Sequence, residues 1–280
     1  MRKLSVRHLT EAVRELVVSV NRELPTDVAE AIRVAWLRET CPPAKEALQQ
    51  LLENMQIALE DGIPLCQDTG MFSVHLTVGQ DVHFTDGDLR SAINEGVHRG
   101  TMEGYLRQSM VSDPLFRKNT EDNTPAFLHI DIVPGDVVMM TVTAKGAGSE
   151  NMSRVQMLTP DRGRVGIIDF VVDTIRQAGA KPCPPLVIGV GMGGNFATVT
   201  GLAKKALLRP LNSPHTDPYY RELEEILLTS INALKIGVNG YGGLTTALSV
   251  KIEKAACHLA CLPVAVNINC HSARRAEREV

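Results

Sequence analysis

At 280 residues, 44% of them hydrophobic, the chain is long enough to bury a full core, as one large domain or two small ones. A formal net charge of −3 gives no basic footprint for nucleic acid, and 4% aromatic residues are too few for a base-stacking platform. No stretch approaches the uninterrupted apolar run that spans a bilayer. The basic start, Met1 to His8, has no apolar segment or small-residue cleavage site behind it, so the expected location is the cytoplasm. In a reducing compartment the six cysteines (Cys41, Cys66, Cys183, Cys257, Cys261 and Cys270) read as metal ligands, catalytic thiols or core fillers rather than disulfides.

Residues 5–60 read as helices: a start at Thr10 leading into Glu11–Val20, then Asp27–Glu39 after Pro25-Thr26, then Lys45–Leu59 with apolar Leu48, Leu51, Leu52, Met55 and Leu59. The next stretch places a thiol, a carboxamide, a carboxylate and a hydroxyl on four consecutive residues, Cys66, Gln67, Asp68 and Thr69, between Pro64 and Gly70. Phe72–Val78 then alternates like a strand, so these four residues occupy a helix-to-strand loop, where chemistry is usually placed. A short strand over Asp81–Phe84 and a helix over Leu89–Glu103 follow. Tyr105 to Ala126 is a long polar loop in which Arg107 and Arg117 read either as carboxylate clamps or as solvated surface arginines.

Phe127–Val133 and Val137–Ala144 are strands joined at Pro134-Gly135-Asp136. They lead into Lys145-Gly146-Ala147-Gly148-Ser149, which is either an anion cradle or an ordinary Gly-rich turn. After a helix over Ile167–Gly179, Cys183 sits between Pro182 and Pro184 in a rigid extended loop. Leu186–Val190 reads as a buried strand, and Gly189 to Gly194 satisfies GxGxxG ahead of a helix expected from Phe196 to Leu208. A dinucleotide site therefore has to be weighed, although the acidic residue wanted ~20 positions onward is replaced by a breaker-rich loop, Arg209 to Pro214. A helix over Glu222–Leu234, a strand over Thr246–Ile252 and a last strand ending in Cys270-His271 complete the core, and the charged tail from Arg274 reads as a solvated face. No repeat and no linker is visible. The expected architecture is α+β: one compact unit over 1–280, with a helical lead-in to about residue 60 and a mixed core of sheet and helix over 61–273.

Cys66, Cys183 and Cys270 share a setting, each in a loop or at a strand end beside proline or polar residues, whereas Cys257 and Cys261 fit it less well. None of the three belongs to a CxxC pair, which argues against a structural zinc site. Three such thiolates hold three irons of a [4Fe-4S] cluster, leaving the fourth open as a Lewis acid, or else they are unrelated structural cysteines.

Seven motifs in order, PLCQDTG (Pro64–Gly70), YLRQSMVSDP (Tyr105–Pro114), RKNTEDNTPA (Arg117–Ala126), KGAGSENMS (Lys145–Ser153), KPCPP (Lys181–Pro185), GVGMGG (Gly189–Gly194) and LPVAVNINCHSARR (Leu262–Arg275), closely resemble the α subunit of the two-subunit class I, iron-sulfur fumarate hydratases. That family also includes the L(+)-tartrate dehydratase α subunit. The resemblance implies a hydro-lyase that converts fumarate to (S)-malate, with a [4Fe-4S] cluster on Cys66, Cys183 and Cys270 and its open iron polarising the C–O bond. It further implies a pocket for a small dicarboxylic acid lined by Gln67, Asp68, Arg107, Gly146 and His258, in which Arg107 clamps a carboxylate, Asp68 joins the proton relay and His258 orients by hydrogen bonding.

Two departures from the family pattern stand out. Ala147 replaces the middle glycine of KGGGS, which is tolerable if that position does not need a positive φ. The swivelling C-terminal domain of single-chain relatives is missing, which implies a separate β subunit of ~200 residues that completes catalysis within an oligomer. Alternative readings are an L(+)-tartrate dehydratase α subunit, a NAD-dependent dehydrogenase resting on Gly189–Gly194, and a non-catalytic iron-sulfur binding protein.

Overall fold

The computed structural model describes residues 1–280. Its first stretch is β1 (Arg2–Ser5), α1 (Val6–Arg22), α2 (Thr26–Arg38) and α3 (Pro42–Asp61), followed by β2 (Met71–Gly79), β3 (Val82–Thr85) and α4 (Leu89–Glu103). After the long loop come β4 (Phe127–Val133), β5 (Val138–Lys145), the single turn α5 (Ala147–Glu150), β6 (Arg154–Leu158) and α6 (Gly163–Ala178). The chain ends with β7 (Leu186–Gly194), α7 (Val199–Ala206), α8 (Pro218–Asn232), β8 (Ala247–Cys257), β9 (Leu262–Asn269) and β10 (Arg274–Glu279). The class is α+β, as the alternation of patterns implies. These elements group into two compact units, one made of residues 1–25, 54–147 and 274–280, the other of 26–53 and 148–273. Each unit is assembled from separated stretches, which is why no linker shows in the sequence.

In the first unit, β10, β5, β2 and β4 form a four-stranded sheet, and β1 pairs with β3 in parallel. The apolar stripe of α1 (Leu9, Val13, Leu16, Val17, Val20) is buried with Val74, Leu76, Met140 and Val142 of the sheet. Helices α1 and α4 cross closely because Gly96 and Gly100 of α4 leave no room for a side chain: a Cβ there would stand 2.7 Å from Val13 and from Val17 respectively. The helix α1 begins at Ser5, whose hydroxyl caps the Arg7 amide, and not at Thr10. Thr10 is buried in mid-helix with its Oγ1 donating to the carbonyls of Val6 and Ala92. The expected solvated tail is also corrected: residues 274–279 are β10, antiparallel to β5.

The second unit is built on a sheet of order β6-β9-β7-β8, with β7 central. Successive residues of β7 face opposite ways. Leu186, Ile188, Val190 and Met192 join a core with Phe170 and Ile175 of α6 and Leu223, Leu227 and Ile231 of α8. The intervening Gly189 and Gly191 face α7, where an added Cβ would stand 2.2 Å from the Ala203 carbonyl and 2.3 Å from the Val199 carbonyl. GxGxxG is therefore strand, not a phosphate-binding turn: its glycines let α7 lie directly on the sheet. The helix after it is also shorter than expected, Val199–Ala206.

Candidate functional site

The Cys66–Thr69 segment joins α3 to β2 and is held at both ends. The Leu65 amide donates to the Asn21 carbonyl at 2.7 Å, and the Leu65 carbonyl accepts from Asn54 Nδ2 at 2.9 Å. Cys66 is half-buried and Gln67 is exposed. Asp68 receives two backbone amides, Gly70 on Oδ1 at 3.0 Å and Ala147 on Oδ2 at 3.1 Å, so its carboxylate bridges its own loop and the segment after β5. Gly70 makes that bridge possible. It has φ +78°, and a Cβ on it would stand 2.6 Å from the Lys145 backbone.

Gly146 faces the same carboxylate, since a Cβ there would stand 2.8 Å from Asp68 Oδ2. Ala147 is the first residue of α5, is exposed and does not have a positive φ, so its methyl is accommodated as the sequence argument required. Thr69 is 2% exposed, and its Oγ1 donates to the Arg107 carbonyl at 3.1 Å. The structure thus brings together Cys66, Gln67, Asp68, Gly146 and the backbone of Arg107, whose side chain is exposed.

Two residues that sequence reasoning did not single out hold this arrangement. Asn123 is fully buried at φ +61°, donates through Nδ2 to the Arg107 carbonyl at 2.9 Å and accepts on Oδ1 from the Ser109 amide at 2.6 Å. Only an Asn tolerates that backbone while offering both a donor and an acceptor, which is the one signal that DNTP carried. Arg274, 2% exposed, donates to the Asp68 carbonyl at 2.9 Å and to Asn21 Oδ1 at 2.8 Å. Arg117 does not share this position. It lies in the turn closed by the bond from the Ser112 amide to the Lys118 carbonyl, beyond the single bridge between Val111 and Asn119, while Arg107 lies at the foot of that hairpin.

In the second unit, Cys183 and Cys270 lie on adjoining segments. Cys183 is exposed at φ +54° between buried Pro182 and Pro184, and its carbonyl accepts from the amide of His271, the residue after Cys270, at 3.3 Å. Cys270 ends β9, with its amide donating to Asn269 Oδ1 at 3.1 Å and its Sγ 3.8 Å from the Ser272 carbonyl. None of the six cysteines is in a disulfide. No three His, Cys, Asp or Glu side chains converge tightly enough to hold a single metal ion. A cluster asks for less convergence, because each thiolate binds a different iron. Cys183 and Cys270, on adjoining segments, fit two positions of such a donor set.

His258 does not join them. It lies in the connection between β8 and β9, and the eight residues of β9, at ~3.3 Å each, put it ~25 Å along the strand from Cys270. It is exposed, its Nδ1 accepts from the Ala260 amide at 3.2 Å, and it lines a cavity of about 660 Å³ with Met192, Tyr219, Tyr220 and Lys254.

The fumarate hydratase (Fumerase) family model matches residues 10–279. Similar proteins include the putative L(+)-tartrate dehydratase subunit alpha of Methanocaldococcus jannaschii, 42% identical over 278 residues, 96% of this chain and 97% of that one. The L(+)-tartrate dehydratase subunits alpha of Escherichia coli and Shigella sonnei are 33% and 32% identical over 275 residues, each covering 97% of this chain and 90% of the relative. With the sequence motifs, the held Asp68 loop and a match that runs nearly end to end, the chain belongs to the class I fumarate hydratase family of hydro-lyases and corresponds to its α subunit.

Proposed function

We propose that this chain is the cluster-carrying α subunit of a cytoplasmic hydro-lyase that adds water reversibly across fumarate to give (S)-malate. The observation that carries this reading is the carboxylate of Asp68, two residues from Cys66, held by the amides of Gly70 and Ala147 and faced by Gly146. In this reading Cys66, Cys183 and Cys270 hold a [4Fe-4S] cluster, which when bound supplies a Lewis-acidic iron for the hydroxyl that is added or lost. Asp68 moves a proton at its carboxylate, Arg107 pairs with a substrate carboxylate, and Gln67 and the amide edge at Gly146 orient the acid. His258, the hydrogen-bonding orienter of the sequence reading, lies in the β8–β9 connection, ~25 Å along β9 from Cys270. A β subunit brings the groups that complete the site in a heteromeric oligomer, an expectation supported by the relatives' designation as subunit alpha.

L(+)-tartrate is the second reading, favoured by the names of those relatives. (S)-Malate carries one hydroxyl and L(+)-tartrate two, and sites built to hydrogen-bond a hydroxyl reject an analogue lacking it by about 10⁴-fold. The test is the complex with its partner subunit, reconstituted anaerobically with iron and sulfide and assayed on fumarate, (S)-malate and L(+)-tartrate. A kcat/KM higher for fumarate supports the first reading, and the reverse selects tartrate. About four irons per chain, lost on Cys66→Ala, Cys183→Ala and Cys270→Ala, is the expected cluster result. A cluster whose spectrum ignores every one of these acids with the partner present would instead indicate a non-catalytic iron-sulfur protein.

A further inference from the structure

Arg274 opens a run of alternating charge, Arg274-Arg275-Ala276-Glu277-Arg278-Glu279, that has the composition of a surface strand. Its neighbours follow that rule: Glu277, Arg278 and Glu279 are exposed. Arg274 breaks it, being 2% exposed at the start of β10, opposite Ala144 on β5. Nη1 donates to Asn21 Oδ1 and Nη2 to the Asp68 carbonyl, both neutral oxygens, while Nε is buried with no partner. A cation buried against neutral oxygens is costly, and burying an apolar side chain there would avoid that cost.

The geometry explains why an arginine is used. Asn21 is itself fully buried, with its Nδ2 committed to the Val17 carbonyl at 3.0 Å and its own carbonyl accepting from the Leu65 amide. Asn21 therefore fixes the segment just before Cys66, and the guanidinium links the same Asn21 to the Asp68 carbonyl at the far end of the loop. The span between them is Cys66, Gln67 and Asp68, the three residues whose orientation the proposed reaction depends on. A rigid planar fork can bond two acceptors in different directions at once; a lysine ammonium on a flexible stem, or a glutamine amide, is a poorer match.

We propose that Arg274 is a positioning residue: through Asn21 and the Asp68 carbonyl it clamps the Cys66–Asp68 backbone, so that the thiol of Cys66 and the side chains of Gln67 and Asp68 are presented in one fixed direction. This rests on the proposed function only in treating that loop as reactive. The clamp itself is testable without turnover, in the full chain freed of iron by chelation, by the alkylation rate of each cysteine with iodoacetamide read by peptide mass spectrometry.

In Arg274→Ala the Cys66 rate should rise about 10- to 100-fold, the factor that one charge-assisted hydrogen bond represents. The rates of Cys183 and Cys257 should stay within twofold, and millimolar methylguanidinium should slow Cys66 again. Arg274→Lys, which keeps the charge and the buried stem, decides the matter if the alanine variant does not fold, and it should still leave Cys66 faster than in the parent chain. An unchanged Cys66 rate in the folded variants, or a rise shared by all the cysteines, overturns the clamp. A parent complex inactive on every four-carbon acid tested would overturn the proposed function instead, and the labelling result would still decide the role of Arg274.

Discussion

Gly146→Ala separates the stability of the Asp68 loop from its use. The added methyl would stand 2.8 Å from Asp68 Oδ2 and 3.4 Å from its Cγ, with no positive φ at residue 146 to add backbone strain. Ordinary contact begins near 3.5 Å, so Oδ2 must retreat by roughly 0.7 Å. The bond from the Ala147 amide is already 3.1 Å long, and that retreat takes it out of hydrogen-bonding range. A charge-assisted bond is worth about 1.5–3 kcal/mol, but Asp68 is half-buried and its carboxylate can turn to water, so the net loss should be nearer 1 kcal/mol. For a chain of this size that is about 2–4 °C in Tm. Misplacing a reacting group by ~1 Å costs about 10²-fold in rate.

The expected outcome is therefore a near-normal melting curve with kcat down by roughly 10- to 100-fold, measured by calorimetry and by anaerobic initial rates on the complex with its partner subunit. Ala147→Gly is the matched control: it touches the same turn, spares Asp68, and should leave kcat within about twofold while costing under ~1 kcal/mol of helix propensity. Wild-type kcat in Gly146→Ala would refute the role given to Asp68.

Asn123→Ala should cost about 2–4 kcal/mol, because it strands the Ser109 amide, takes one of its donors from the Arg107 carbonyl and forces alanine to φ +61°. If Arg107 clamps substrate, KM rises more than kcat falls; chemical denaturation and steady-state kinetics read the two effects. Gly191→Ala drives a methyl to 2.3 Å from the Val199 carbonyl and should lower stability by ~3 kcal/mol or more without creating or removing any NADH binding, whereas an unperturbed melting curve would contradict the close packing of α7 on β7. Burial works against the charge of Asp122, yet hydrogen bonds from the Thr124 amide and hydroxyl, Thr120 and the nearby His98 outweigh it and hold this carboxyl below its ordinary value of 3.8. Its folded-state value is the lower one, so its contribution is complete above pH 3.8 and is lost as pH falls below it: Asp122→Asn should melt earlier than the parent at neutral pH, with the gap closing in acid. In the proposed cluster the iron without a thiolate would be open to oxidation, so activity should decay in air and return on anaerobic treatment with iron and thiol; full activity after prolonged aeration would count against the proposed chemistry.

What could be read from the sequence divides along a physical line. Local signals were legible: α4 runs from Leu89 to Glu103, the bounds the sequence implies, and β2 follows the alternation through Phe72–Val78. The polar residues of PLCQDTG also stood out, because no core packing explains a thiol, an amide, an acid and a hydroxyl in a row. Much of what holds them was not legible, because those supports come from far along the chain. Asp68 is bonded by Ala147, Cys183 by His271, and the Asp68 carbonyl by Arg274.

GVGMGG shows the same limit from the other side. A glycine that lets a helix approach a strand and a glycine that lets a phosphate approach a turn leave the same mark in sequence. Only the position of Val199 and Ala203 against Gly191 and Gly189 decides between them. His258 and Cys270 are twelve residues apart in sequence, close enough to suggest one site, yet the extended strand between them puts them at opposite ends of β9. Residue types therefore announce which chemistry the chain can do. Which of those residues act together is set by strand length, face and long-range hydrogen bonds, and Arg274, which reads as surface and is buried, is where the two kinds of information disagree most.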